Sequence, residues 1–186
     1  PNSYLGPFSK EEILEKSQGL FLLEHYGDLI YHLSAILNHP HVHVQVYFLL
    51  YIKADFDGPV SSLELEPSCS FEIDVKESGG QEERKGVVID DSEEHELSGS
   101  RGTAHFAMKW SRDSKHFSTI NLERRMANVF DPHRGVTKDD HGKFVPVVGF
   151  ECRGLEPIAW YPRDEFRVLG ESGAVWDSVD LSEKEW

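Results

Sequence analysis

FEIDVK, residues 71–76, decides the fold class of this chain because its apolar and charged residues alternate one by one. Phe71, Ile73 and Val75 fall on one face of an extended strand, and the charged residues fall on the other face. AHFAMKW (104–110) repeats the alternation, and polar pieces rich in Gly, Ser and Asp separate such runs along the chain. This pattern is typical of antiparallel strands joined by turns, so the sequence predicts a mainly β fold.

Two stretches, 54–80 and 149–174, present the same features in the same order. Each runs from a strand into an acidic-x-Gly turn, then through Leu-Glu and a second strand to Glu-Ser-Gly. The series predicts two pseudo-symmetric antiparallel β-units, at about 46–123 and 144–186, that form a sandwich-like core. Cys152 falls where the first copy has an apolar residue, so we expect a small buried group there and not a nucleophile.

The N-terminal region has a different pattern, because apolar residues in 9–37 recur at the three-and-four spacing of one helix face. A capping-box pattern begins at Ser9, and Pro40 disfavours further helix. The sequence therefore predicts a helical extension over 1–40 and a β-rich domain over 41–186, α+β overall. The extension carries more apolar residues than one stripe needs, which indicates a partner-binding surface. The candidates are Leu20, Phe21, Leu22, Leu23 and Tyr26.

Charge and composition argue against several classes of partner. The chain has 33 acidic and 19 basic residues, a formal net charge of −14, which disfavours contact with nucleic-acid phosphates or an anionic membrane. The longest apolar run, VYFLLYI from Val46, is far shorter than a membrane-spanning helix requires. The two cysteines cannot form a disulfide framework, and they indicate a reducing intracellular compartment.

Three C-terminal motifs are FECRGLEP (150–157), ESGAVW (171–176) and DLSEKEW (180–186). Together they resemble the C-terminal signature of the eukaryotic CXXC-motif-containing zinc-binding protein family, and the resemblance extends more faintly back to about Phe48. It implies a β-rich protein of two similar halves, with one zinc held by two Cys-x-x-Cys knuckles on facing hairpins. It also implies a cytoplasmic location. Because the N-terminal region does not resemble the family, a mitochondrial location is the alternative.

The four positions that correspond to the knuckle cysteines carry no thiol in this chain: Glu77, Gly80, Trp110 and Asp113. Structural zinc takes four ligands, usually Cys or His, whereas Gly80 has no side chain and Trp110 has no usable lone pair. We therefore expect a degenerate site without zinc, closed by ordinary turns. Glu77 could pair there with Arg112 or Lys115.

HPHVH (39–43) supplies the alternative metal hypothesis, because His41 and His43 share one face of a strand and His39 lies close by. That spacing can chelate copper, nickel or zinc, although histidines on a polar strand face are the commoner outcome. GESGA (170–174) lacks the last glycine of a serine nucleophile elbow, and no other catalytic constellation is visible. The sequence therefore does not predict an enzyme.

These observations predict a non-catalytic protein-interaction or scaffold module, an accessory subunit that docks through its N-terminal helices and needs no cofactor. Trp160 and Tyr161 either line a second interface, where such residues concentrate binding energy, or pack in the core. The alternative function is a zinc- or copper-binding protein that uses histidine and carboxylate ligands.

Overall fold

The computed structural model describes residues 22–26, 29–38, 45–54, 56, 58–97, 102–125, 135–163 and 165–181. Within these ranges the chain forms antiparallel strands and one 3-10 turn, Lys138–Asp140. The strands are β1 (Leu22–Tyr26), β2 (Leu29–Asn38), β3 (Gln45–Lys53), β4 (Val60–Leu65), β5 (Phe71–Glu77), β6 (Glu83–Ile89), β7 (His95–Glu96), β8 (Thr103–Ala104), β9 (Phe106–Met108), β10 (Ser118–Glu123), β11 (Val136–Thr137), β12 (Val145–Arg153), β13 (Leu155–Tyr161), β14 (Phe166–Gly170) and β15 (Val175–Val179). The predicted mainly β character is confirmed.

The predicted helical extension over residues 1–40 is wrong wherever the structure describes that region. β1 and β2 form an antiparallel hairpin, and β2 pairs with β3 from Ile30 opposite Lys53 to Asn38 opposite Gln45. The segment LIYHLSAIL (29–37) also has an apolar residue at every second position, so its sequence fits a strand as well as a helix. Pairing with a buried neighbouring strand decides between the two, because tertiary contacts override local propensity.

The strands form four sheets, in the orders β1-β2-β3-β12-β10-β9, β11-β4-β14-β15, β13-β5-β6 and β7-β8. β3 to β6 and β12 to β15 are the two related series, and their first strands pair with each other. The second strand of each series pairs with the third strand of the other series, β4 with β14 and β13 with β5. The two units therefore exchange strands and do not fold as separate bodies.

The turns of the two series also correspond. Gly58 and Gly154 follow the first strands with φ of 75° and 70°, and Gly79 and Gly173 follow the third strands with φ of 75° and 82°. A left-handed backbone is readily adopted only by glycine, so both copies of each turn need this residue. The sequence echo between 54–80 and 149–174 thus has a counterpart in backbone conformation.

The core lies among the sheets and is rich in aromatic rings. The rings of Phe71 and Phe150 meet edge to face at 5.6 Å, and those of Trp160 and Phe166 pack at 6.1 Å. Cys152 is buried among these residues, as the repeat predicted, and burial raises the pKa of its thiol well above the usual value. Within the described ranges no helix has the length and apolarity needed to cross a membrane.

Candidate functional site

The first knuckle, residues 77–82, is the turn between β5 and β6. The Gly80 amide donates to the Glu77 carbonyl at 3.0 Å, and the Glu77 amide donates to the Glu82 carbonyl at 2.9 Å. The carboxylate of Glu77 folds back over Gly80 and fills the space that a β-carbon at Gly80 would need. Glu77 therefore fills the space in which a side chain at Gly80 would lie.

The second knuckle, residues 109–116, is the turn between β9 and β10. The Ser114 amide donates to the Ser111 carbonyl at 3.2 Å, and the Ser111 amide donates to the Ser114 hydroxyl at 3.2 Å. Asp113 is exposed at this turn. Reciprocal serine hydrogen bonds thus close the second knuckle, as the predicted turn chemistry requires.

Trp110 connects the second knuckle to the rest of the fold. Its indole Nε1 donates to the Ser118 hydroxyl at 3.0 Å and to the Gly154 carbonyl at 3.2 Å. The Ser118 hydroxyl also donates to the Gly154 carbonyl, at 3.1 Å, and so does the Ser78 amide of the first knuckle, at 3.3 Å. Both knuckles therefore donate hydrogen bonds to one backbone carbonyl.

Arg84 adds a second connection between the knuckles, because β6 begins where the first knuckle ends. Its guanidinium carbon lies 5.8 Å from the centroid of the Trp110 ring, and its Nη2 donates to the Trp110 carbonyl at 3.4 Å. A cation over an indole face stabilises an exposed site by about 0.5–1 kcal/mol. We call Arg84, Trp110, Ser118 and the Gly154 carbonyl the knuckle clamp.

The four degenerate positions do not fit a tetrahedral zinc ion. Gly80 offers no ligand, and the indole nitrogen of Trp110 is a donor already engaged with oxygen atoms. Glu77 and Asp113 supply carboxylates only, half of the required ligand set. In the part of the chain that the structure describes, no group of three or more His, Cys, Asp or Glu side chains is arranged to hold a metal.

The other sequence predictions fall in different places. Among the described residues, no ion pair joins Glu77 to Arg112 or Lys115. His39, His41 and His43 lie outside the described residues, as do Leu20 and Phe21. Leu22, Leu23 and Tyr26 lie on β1, where only the backbone is described and forms a strand in place of the predicted helix.

Trp160 and Tyr161 both hold the fold together. Trp160 is fully buried against Phe166, so its side chain packs in the core and is not available to a partner. Tyr161 is half-buried, and its hydroxyl donates to Oδ2 of the buried Asp74 at 2.7 Å. The Gly86 amide donates to Oδ1 of the same carboxylate at 2.8 Å. Asp74 therefore ties β13 and β6 to β5, which lies between them.

Sequence reasoning missed a polar row on the side of the six-stranded sheet that faces away from the core. Glu151 lies directly between Tyr47 and Asn121 across three strands, and it accepts from Arg153 at 2.9 Å. Burial and the nearby Glu151 carboxylate raise the pKa values of both Tyr47 and Glu123. Most pairs of these residues lie 30 or more positions apart in the sequence. Only the pairing of the strands could therefore have shown that they form one row.

Sequence reasoning also missed Arg124, which anchors the loop after β6. It makes two hydrogen bonds to the Asp91 carboxylate, at 2.5 and 2.8 Å, and donates to the Cys69 carbonyl at 2.6 Å. Its guanidinium also lies 5.8 Å from the centroid of the Phe71 ring. The hydrogen bond from Arg124 lowers the pKa of Asp91.

The fold and the site together define a class of protein: a strand-exchanged β scaffold in which two hairpin turns donate hydrogen bonds to one backbone carbonyl. Residues 49–186 match the model of a family described as "CXXC motif containing zinc binding protein, eukaryotic". The chain belongs to this family, which confirms the resemblance found in the C-terminal motifs.

Two relatives show how far the similarity extends. The UPF0587 protein CG4646 of Drosophila melanogaster is 36% identical over 142 residues, which are 74% of this chain and 82% of that protein. The CXXC motif containing zinc binding protein of Bos taurus is 35% identical over 91 residues, 48% of this chain. That match spans about half, 52%, of the length of the Bos taurus protein.

Two solved structures share the fold. A hypothetical protein from Plasmodium falciparum superposes with a TM-score of 0.63 at 26% identity, over 72% of this chain and 81% of its own. The structure titled "Crystal Structure of C1orf123" superposes with a TM-score of 0.61 at 25% identity, over 75% of this chain and 85% of its own.

Proposed function

We propose that this protein is a zinc-free member of its family and that it acts by contact with a partner protein, not by catalysis. The observation that carries the proposal is the position of Trp110. The family resemblance assigns it the position of a knuckle cysteine, and its indole N–H donates to the Ser118 hydroxyl and the Gly154 carbonyl. A residue with this role stabilises the facing hairpins and cannot bind zinc.

The energetics are consistent with the loss of a metal. Zinc binding contributes about 10–16 kcal/mol to the folding of small zinc peptides. The knuckle clamp replaces only part of that, since each hydrogen bond contributes about 0.5–1.5 kcal/mol. Core burial supplies the rest in a chain of 186 residues, because a domain of this size buries enough apolar surface to fold without a metal.

The similarity to these relatives supports the proposal that this protein is related to zinc-binding proteins but has different residues at the metal positions. The name of the Bos taurus relative describes CXXC-motif zinc binding, whereas this chain has a carboxylate, a glycine, an indole and a second carboxylate at the four positions that the family resemblance assigns to the cysteines. The scaffold with its facing hairpins is retained, and what those hairpins present to solvent has changed. Interaction through this altered surface is the function that the geometry supports best. The two free, buried cysteines suit a reducing compartment, and we propose the cytoplasm.

Affinity capture from a cell lysate, with and without EDTA, tests this function. We expect a stoichiometric protein partner that stays bound in EDTA, and an unfolding midpoint of the purified chain that neither EDTA nor added zinc changes. A ligand that binds only the folded state raises the midpoint by mass action. Release of the partner by EDTA, or a midpoint that falls on chelation, would contradict the proposal.

A further inference from the structure

The second knuckle carries a cluster of positive charge on an otherwise acidic chain. Residues 109–116 contain Lys109, Arg112 and Lys115 against a single carboxylate, Asp113, and all four are exposed. His116 is also exposed at this turn. The first knuckle and its flanks, residues 76–85, contain equal numbers of cationic and acidic residues. They therefore do not cancel the excess of positive charge in residues 109–116. We call residues 109–116 together with Arg84 the basic tip.

Two of the cations in the basic tip are held over aromatic rings. Nζ of Lys109 lies 4.9 Å from the centroid of the Phe117 ring, and Arg84 lies over Trp110. A side chain that already rests in one position loses less conformational freedom when it binds a ligand. The contacts with the aromatic rings therefore hold the charges of Lys109 and Arg84 in position before a ligand binds.

From these contacts we propose that the basic tip is the docking surface of the protein and that it binds an acidic, carboxylate-rich segment of a partner protein. This rests on the proposed function, because it assigns the partner contact to a turn that holds no metal. Charge complementarity selects the partner, since complementary charges steer association and exclude partners of like charge.

An acidic protein segment fits this surface better than a nucleic acid does. Nucleic-acid binding needs several phosphates neutralised along a groove or stripe. Here the excess positive charge is confined to one turn, and the chain as a whole carries a net charge of −14, which repels a long polyanion. A short run of carboxylates can contact the basic tip while the rest of the partner chain stays further from the acidic surface of this protein than the Debye length, about 8 Å.

Fluorescence anisotropy with labelled peptides tests the proposal on the full chain. The probe is a fluorescein-labelled peptide with five glutamates, and the matched neutral probe has glutamine at the same positions. The test variant is R112Q/K115Q. The control variant is K138Q/K143Q, which removes two exposed lysines from the turn around the 3-10 helix.

We expect the acidic peptide to bind the wild type and the control equally, with a dissociation constant that rises with salt. The test variant should bind on the order of fivefold more weakly, the product of two exposed ion pairs. No binding of the acidic peptide, equal binding of the neutral one, or the same loss in both variants would overturn the proposal. Tighter binding of a single-stranded oligonucleotide than of the peptide would also overturn it. Zinc content and the affinity capture described above, measured separately, test the proposed function without reference to these results.

Discussion

Replacing Trp110 with phenylalanine tests the knuckle clamp most sharply, because it removes the indole N–H and keeps an aromatic ring. The lost N–H is shared between the Ser118 hydroxyl and the Gly154 carbonyl and contributes about 0.5–1.5 kcal/mol, and the smaller ring gives up part of the packing and of the attraction to Arg84. The Gly154 carbonyl keeps the Ser78 and Ser118 donors, and the Ser118 hydroxyl keeps the hydrogen bond that it donates to Gly154. We expect a loss of about 2 kcal/mol in the free energy of unfolding. That corresponds to a melting temperature lower by about 4–8 °C for a chain of this size.

The assay is urea and thermal unfolding of the wild type, W110F, R84Q and the double variant. The double-mutant cycle should give a coupling energy of roughly a few tenths of a kcal/mol between Trp110 and Arg84, less than the full cation–π interaction, because phenylalanine keeps a ring beneath Arg84. R167Q, whose arginine pairs with Asp177, is the control and should show no coupling to W110F. If W110F unfolds within 0.3 kcal/mol of the wild type, the clamp does not hold the hairpins together and the reasoning fails.

The remaining predictions concern other contacts of the same scaffold. Arg124→Met should lower the free energy of unfolding by roughly 2 kcal/mol at pH 7, less than the 3–5 kcal/mol for a fully buried pair, because both side chains are partly exposed. Since the pKa of Asp91 is lowered in the folded state, that difference should be full above pH about 5. The difference should shrink as the pH falls below about 3.9 and through the pKa that Asp91 has in the folded state. Urea unfolding of both proteins at pH 7 and pH 2.5 measures this change. A difference that stays constant between the two pH values would refute the pairing of Arg124 with Asp91. Gly154→Ala should cost at least about 1 kcal/mol more than Gly142→Ala in the same assay, and equal costs would contradict this. Both glycines have φ near 70°, but only at Gly154 would the new β-carbon lie 2.7 Å from the Ser118 hydroxyl.

The sequence was sufficient for the elements whose pattern has a single interpretation. FEIDVK alternates strictly, and it forms β5 as predicted. The family resemblance predicted hairpin turns at the two degenerate knuckles, and turns join β5 to β6 and β9 to β10; their correspondence to zinc ligands stays a prediction. Cys152 was predicted to be buried from the internal repeat alone, and it is.

The parts that the sequence could not predict depend on partners far away in the chain. Residues 29–37 fit two periodicities, and the choice of strand came from pairing with β3. Nothing local in Trp110 indicates that it donates to Gly154, which lies 44 positions further along. Trp160 is apolar enough for either a surface or a core, and its burial is set by strand exchange between the two units.

The zinc content of the purified chain, measured by inductively coupled plasma mass spectrometry, tests the central claim most directly. The comparison is the variant E77C/G80C/W110C/D113C, which restores all four thiols and removes the Glu77 carboxylate that lies over Gly80. We predict far less than one zinc per chain for the wild type and about one per chain for the variant. One tightly bound zinc per wild-type chain, retained through gel filtration, would contradict an account in which Trp110 and Arg84 stand in place of the metal.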